Sequence, residues 1–129
     1  MAKPNPTDLK YTKEHEWAKD NGDGTVTMGI TDHAQELLTD IVFVELPAVG
    51  KQVEQGKQLA VVESVKSVSD VYASVSGEVI EVNTDLENQP ELINADAFTG
   101  GWICKIKMTN PADLNALMDA AAYDALIKE

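Results

Sequence analysis

The stretch Leu59-Ala60-Val61-Val62, Glu63-Ser64-Val65-Lys66-Ser67-Val68-Ser69-Asp70, Val71-Tyr72-Ala73 sets the fold class. Two short apolar runs rich in β-branched residues flank a small, mostly polar middle, which suits two strands joined by a tight reversal. Working outward, Gly50, Gly56 and Gly77 punctuate further short runs around Val53 and over Val79-Ile80-Glu81-Val82. Many short strands with glycine turns at near-regular spacing indicate a sandwich or barrel rather than a parallel α/β sheet. Val49-Gly50-Lys51-Gln52-Val53 is faintly echoed by Ser76-Gly77-Glu78-Val79, which hints at two similar halves.

Toward the N-terminus, His15-Glu16-Trp17-Ala18 and Thr25-Val26-Thr27-Met28-Gly29-Ile30 flank Asp20-Asn21-Gly22-Asp23-Gly24. Asn-Gly and Asp-Gly are strong hairpin-turn signals, so this unit reads as a hairpin and not as a phosphate loop. Thr31-Asp32 offers a helix N-cap, predicting a short helix near residues 32–39. Ile41-Val42-Phe43-Val44-Glu45-Leu46 reads as a strand stopped by Pro47. Toward the C-terminus, Trp102, Cys104, Ile106 and Met108 alternate with Ile103, Lys105 and Lys107, the period of a half-buried strand. Asn110-Pro111 then caps a helix predicted over about 111–127, with Leu114, Leu117, Met118, Ala121 and Ala125 as its apolar stripe and Asp119 as a possible restart. The expectation is a mainly β (α+β) single domain over residues 1–129, with a core at about 25–108 closed by that C-terminal segment.

Charge and composition remove several function classes. There are 22 acidic residues against 10 basic ones, a net charge of −12. Such a surface repels phosphate backbones, and no basic patch interrupts it, so nucleic acid is not an expected partner. No apolar run approaches membrane-spanning length. Met1-Ala2-Lys3-Pro4-Asn5-Pro6 has neither an apolar signal core nor transit-peptide character. The lone Cys104 precludes an internal disulfide and suits a reducing compartment, so a cytoplasmic protein is expected. Cys104 shares its strand face with Trp102 and Ile106 and reads as a buried, inert thiol. Two separate histidines, His15 and His33, and one cysteine supply no metal-ligand pattern, and none is expected to bind metal. Walker, dinucleotide-binding and nucleophile-elbow motifs are all missing.

Lys66 remains. It is the only basic residue between Lys57 and Lys105, and it falls in the reversal between two strands. Position alone fits an ordinary solvated lysine. The same presentation, a primary amine on a long stem at a rigid tip, is what a covalently attached carrier group requires. A third possibility, a Schiff-base lysine, needs a desolvated amine with a depressed pKa, which a small polar tip does not offer.

Glu63-Ser64-Val65-Lys66-Ser67-Val68-Ser69-Asp70 resembles the lipoyl-attachment site of the glycine cleavage system H-protein family. His15-Glu16-Trp17, Gly29-Ile30-Thr31-Asp32-His33-Ala34-Gln35, Val42-Phe43-Val44-Glu45-Leu46-Pro47, Ser76-Gly77-Glu78-Val79 and Gly101-Trp102 are similar to further blocks of that family, in its order. The resemblance runs from about Leu9 to the C-terminus. Biotin-carrying domains place methionines beside their lysine, where this chain has Val65 and Ser67. Lipoyl domains of 2-oxoacid dehydrogenases usually have an aspartate before it and lack the His-Glu-Trp block. Cys104 stands where an aliphatic or aromatic residue is usual.

The resemblance implies a barrel-sandwich hybrid lipoyl-domain fold with two pseudo-symmetric halves, and lipoate joined to Lys66 through an amide. Glu63, Ser64, Val65, Ser67 and Asp70 would flank the attachment. It further implies a non-catalytic carrier of glycine's aminomethyl group in bacterial cytoplasm. Its partners would be a pyridoxal-phosphate glycine decarboxylase, a tetrahydrofolate-dependent aminomethyltransferase, a flavin-dependent dihydrolipoamide dehydrogenase and lipoate-attaching enzymes. A lipoyl relay to other carrier domains is an alternative or additional role. Glu16 and Asp70 match acidic positions associated with a surface cleft for the arm, where a carboxylate can hydrogen-bond an amine.

Overall fold

The computed structural model describes residues 5–128, so the reading of Met1 to Pro4 as free of a leader lies outside the described residues. The described residues form nine strands: β1 Lys10–Tyr11, β2 Glu16–Asp20, β3 Thr25–Ile30, β4 Ile41–Glu45, β5 Gln52–Val53, β6 Gln58–Ser64, β7 Val68–Tyr72, β8 Gly77–Val82 and β9 Cys104–Met108. They pair antiparallel in two sheets, one ordered β1-β2-β3-β9-β8-β5 and the other β4-β6-β7. The inward rows of both sheets meet in one core, where Val26, Met28, Val62, Val71, Val79 and Ile106 are all buried. Fully burying side chains of this size stabilises the fold by about 1.5–3 kcal/mol each. Few of them are aromatic, so the sandwich is closed by branched aliphatics, as the sequence leads one to expect.

The β2–β3 hairpin forms where Asn21 to Gly24 predict it, with Gly22 and Gly24 at φ of 84° and 88°. Asp20 and Asp23 carboxylates accept hydrogen bonds from the amides of Gly22 and Thr25, at 2.9 and 3.1 Å. The echoed segments around Gly50 and Gly77 turn out to be hydrogen-bonded neighbours. Gln52 pairs with Glu78 and Val53 with Gly77, and the amide of Gly50 donates to the carbonyl of Val79 at 2.7 Å. A side chain at Gly77 would place its Cβ 2.0 Å from the carbonyl oxygen of Lys107, so this crossing requires glycine.

Thr31 caps α1 (Asp32–Leu38) by accepting from the amide of Ala34 at 3.1 Å. Two single-turn helices, α2 (Asp85–Asn88) and α3 (Leu92–Ala95), fill the connection between β8 and β9 and have no counterpart in the sequence reading. They insert Leu86 and Ile93 into the core.

The single C-terminal helix expected over 111–127 is corrected to two pieces. A 3₁₀ helix, Pro111–Ala116, ends at Leu117, which is extended at φ −90° and ψ 158°. Met118 then exchanges two backbone hydrogen bonds of 2.8 Å with Tyr11, a bridge that no helical residue could make. Asp119 restarts the helix as α4 (Ala120–Ile127), its carboxylate accepting from the amide of Ala122 at 2.8 Å. The restart changes the phase of the apolar stripe. Ala120 and Tyr123 face inward, whereas the expected Ala121 and Ala125 are exposed. Tyr123 stacks on Tyr11 with ring centroids 4.8 Å apart, in a second cluster with Leu9 and Trp17. No helix among the described residues is long and apolar enough to cross a membrane.

Candidate functional site: an exposed lysine tip and a buried-acid cleft

Strands β6 and β7 run antiparallel with Glu63 opposite Val68, leaving Ser64 to close the turn and Lys66 at its apex. The amide of Ser64 donates to the carbonyl of Ser67 at 2.8 Å. The Ser64 hydroxyl accepts from the amides of Lys66 and Ser67, at 3.2 and 3.0 Å. One small side chain therefore organises the whole turn, and no residue from 65 to 67 needs a positive φ. The tip is also fixed from outside the hairpin: the amide of Val65 donates to the carbonyl of Asp40 at 3.0 Å. Asp40 sits between α1 and β4, in a segment clamped by Asn94 of α3. The Asn94 side chain accepts from the amide of Ile41 at 2.9 Å and donates to the carbonyl of Thr39 at 2.8 Å. Val65, Lys66 and Ser67 are exposed, while Glu63 and Ser64 are half-buried. The chain thus holds the backbone at Lys66 rigidly and leaves its amine free to reach outward.

A cleft of about 610 Å³ opens at the end of β7 remote from the tip, where Tyr72 lines it. Its walls are the segment from Tyr11 to Glu14, Gln55-Gly56, Tyr72-Ala73, Ala116 to Met118, and Leu126. Glu16 lies in its floor. The side chain is not the exposed strand-end acid that its sequence position allows; only 1% of it is accessible. The Thr12 hydroxyl donates to one carboxylate oxygen at 2.6 Å and the amide of Tyr72 to the other at 3.0 Å. Glu16 thereby ties β2 of the large sheet to β7 of the small one. Burial pushes its carboxyl up to about 7, against the opposing pull of those two hydrogen bonds.

Asp70 is placed differently. It is exposed on the outer face of β7, accepts from the Gln58 amide group at 3.1 Å, and is not part of the cleft lining. The tip and the cleft are joined by β7 itself, in which Val68 to Tyr72 spans about 13 Å of strand rise. His15 and His33, far apart in sequence, meet with ring centroids 5.0 Å apart. His15 Nδ1 lies 2.8 Å from the Tyr123 hydroxyl, which is also 2.8 Å from the Thr31 hydroxyl. Burial lowers the His15 pKa, and burial raises that of Tyr123 to about 12. Cys104 is fully buried, and desolvation pushes its thiol up to about 12, which keeps it protonated and unreactive.

Sequence reasoning singled out Lys66 and Glu16 but not Thr12, Tyr72 and Asn94, which position them. Thr12 lies four residues from Glu16 in the turn before β2, whereas Tyr72 acts through one hydrogen bond across 56 positions, and no local pattern announces that. Asn94 lay in a stretch with no periodic signal.

Comparison with known proteins bears on this geometry. The family model described as "Glycine cleavage H-protein" matches residues 9–129. A glycine cleavage system H protein of Marinomonas sp. is 62% identical over 122 residues, covering 95% of this chain and 96% of that one. One from Laribacter hongkongensis is 60% identical over 119 residues, covering 92% and 94%. The crystal structure of a glycine cleavage system H protein from Mycobacterium marinum superposes with a TM-score of 0.86 at 39% identity, covering 94% of this chain and 97% of that one. With the sandwich, the braced lysine tip and these matches in agreement, the chain belongs to the glycine cleavage H-protein family.

Proposed function

We propose that this chain is the lipoyl carrier of the glycine cleavage system and that its lipoate is amide-linked to Nζ of Lys66. The observation that carries the residue assignment is the tip itself: an exposed amine on a backbone braced by Ser64 and Asp40. The residues present fit the group. The Lys66 side chain is open to solvent for an attaching enzyme, and the cleft has both the room and a buried carboxylate for a small polar amine.

Lipoate, once attached, supplies the dithiolane that takes up and gives up the aminomethyl group of glycine. The chain supplies placement. Ser64 and Asp40 hold the attachment point, so the reach of the arm is set by the lysine stem and not by a wandering loop. Tethering raises the local concentration of cargo at each partner above its bulk value. Glu16 offers the cleft a carboxylate that an incoming ammonium would drive toward its charged form, forming a charge-assisted hydrogen bond. The Thr12 hydroxyl and Tyr72 amide keep that carboxylate oriented while the cleft walls limit access of water.

In this reading the protein catalyses nothing itself. It serves a pyridoxal-phosphate glycine decarboxylase, a tetrahydrofolate-dependent aminomethyltransferase and a flavin-dependent dihydrolipoamide dehydrogenase, after modification by lipoate-attaching enzymes, in the cytoplasm. Intact-mass spectrometry with peptide mapping tests it. Protein from lipoylating cells should be heavier by one lipoyl group on Lys66, and Lys66→Arg protein should fold, stay unmodified and fail to support glycine decarboxylation. An unmodified Lys66 under full lipoylation conditions, or a lipoyl group mapped to another lysine, would overturn it.

A further inference from the structure

Four of the eight large hydrophobic residues exposed among the described residues lie on β4, on β7 or in the turn between β6 and β7: Val42, Phe43, Val65 and Val68. Phe43 is 50% accessible, Val65 70% and Val68 64%. The strand register brings Phe43 and Val68 into one row, while Val42 falls at an irregularity in the β4–β6 pairing and Val65 in the turn. Phe43, Glu63 and Val68 lie opposite one another across the three strands, and Glu45, Val61 and Asp70 form the next outward row. Val44 and Val62, between those rows, are buried and face the core. The outer face of the small sheet therefore mixes apolar and acidic side chains, with Glu63 between Phe43 and Val68 in one row and Val61 between Glu45 and Asp70 in the next. Its three strands and the tip contain Lys66 as their only basic residue.

We propose that this face is the docking surface for an enzyme whose active-site entrance carries lysine or arginine interspersed with apolar residues. The inference rests on Lys66 as the arm-bearing residue, because an enzyme that receives the arm must approach this tip. A site that draws a carboxylate substrate and holds a phosphate cofactor is electropositive at its mouth, and the decarboxylase of glycine is such a site. Lone surface hydrophobes need no explanation, but a cluster at the point where partners must approach does. Acylation of Lys66 adds a selection rule. Glu45, Glu63 and Asp70 against one ammonium leave the face at −2, and removing that ammonium takes it to −3. A basic partner thus prefers the acylated carrier to the unmodified one before it touches the arm.

Two arms test this. In the first, variants are purified in the fully lipoylated form, verified by mass, and assayed as substrates of glycine decarboxylase. Phe43→Ser and Val68→Ser should each raise KM roughly tenfold with kcat little changed. The double reversal Glu45→Lys/Glu63→Lys should raise KM at least as much and flatten its dependence on salt. Glu81→Lys, on the other sheet, should do neither. In the second arm, unmodified chains compete with the lipoylated carrier. Lys66→Gln, which removes the charge without an arm, should compete severalfold better than the unmodified Lys66 protein, and less so as salt rises. Should a serine variant fail to fold, the charge reversals, Glu45→Lys alone at its exposed position included, decide the matter. Lipoylated charge variants with unchanged KM and salt dependence, together with equal competition by Lys66→Gln and Lys66, would overturn the docking face. A lipoyl group found away from Lys66 would instead remove the reading beneath it, and mass mapping separates the two failures.

Discussion

The tip and the cleft lie at opposite ends of β7, and they are built by opposite rules. At the tip, the working side chain is solvated and makes no contact on which the fold depends. All of the precision is in the backbone, held by the Ser64 hydroxyl and the Asp40 carbonyl. In the cleft, the Glu16 side chain is buried; the Tyr72 amide ties it to the other sheet and the Thr12 hydroxyl to the turn before its own strand. In the proposed reading, the residue that reaches outward is uncoupled from stability, whereas the residue that would meet a charged group is built into the core. The first can be changed without structural cost, and the second cannot.

The largest separation of function from stability is expected at Lys66. Lys66→Arg should abolish carrier activity completely while shifting stability by no more than about 0.5 kcal/mol, read by urea denaturation beside the decarboxylation assay. If that variant unfolds, the contrast between the two regions is broken. Next in size, Glu16→Ala removes the acceptor for the Thr12 hydroxyl and the Tyr72 amide and leaves a void between the sheets. A loss of roughly 2–4 kcal/mol in denaturant titration is expected.

The pH dependence sharpens the same point. The folded pKa of Glu16, about 7, lies above its ordinary value of 4.5. Its contribution is therefore fully present below about 4.5 and declines as pH rises through 7, because the unfolded chain ionises this group first. Between those limits the wild-type protein should lose up to about 3 kcal/mol from this group. Glu16→Gln should flatten that part of a stability-against-pH curve, and curves of equal slope would show that the carboxyl is not perturbed. The smallest expected effect links the two regions. Asn94→Ala should cost about 1–2 kcal/mol and speed amide exchange at Val65, since the clamp on the segment bearing Asp40 is lost. Unchanged exchange at Val65 would mean that the tip is held by its own turn alone.

The parts of this molecule that were legible in sequence have local causes. Alternation along β9, the Asn-Gly and Asp-Gly signals after β2 and the Thr31 cap each act within a few residues, and each element formed, although β9 begins only at Cys104, with Ile103 buried in the main core and Trp102 half-buried in the second cluster. Lys66 was singled out by the resemblance of Glu63 to Asp70 to a known attachment segment, since its position alone fits an ordinary solvated lysine. The C-terminal break was only half legible. Asp119 advertised a restart, but the reason for the stop is a backbone bridge between Met118 and Tyr11, more than a hundred positions apart. The burial of Glu16 was illegible for a similar reason. Thr12 is four residues away, but the Tyr72 amide that takes the other carboxylate oxygen is 56 positions away, and nothing beside Glu16 announces it.

Thr39 adopts φ 66° and ψ −147°, a conformation that a β-branched residue takes only under constraint, and Asn94 supplies the constraint. The consequence concerns portability. The hairpin of β6 and β7, transplanted into another scaffold, would bring Lys66 but leave behind the strut that sets its height. A transferable module must include residues 39–45 and a partner for their carbonyls in place of Asn94. The proposed attachment tip is short when written as a string of letters, yet as a mechanical part it spans half the chain.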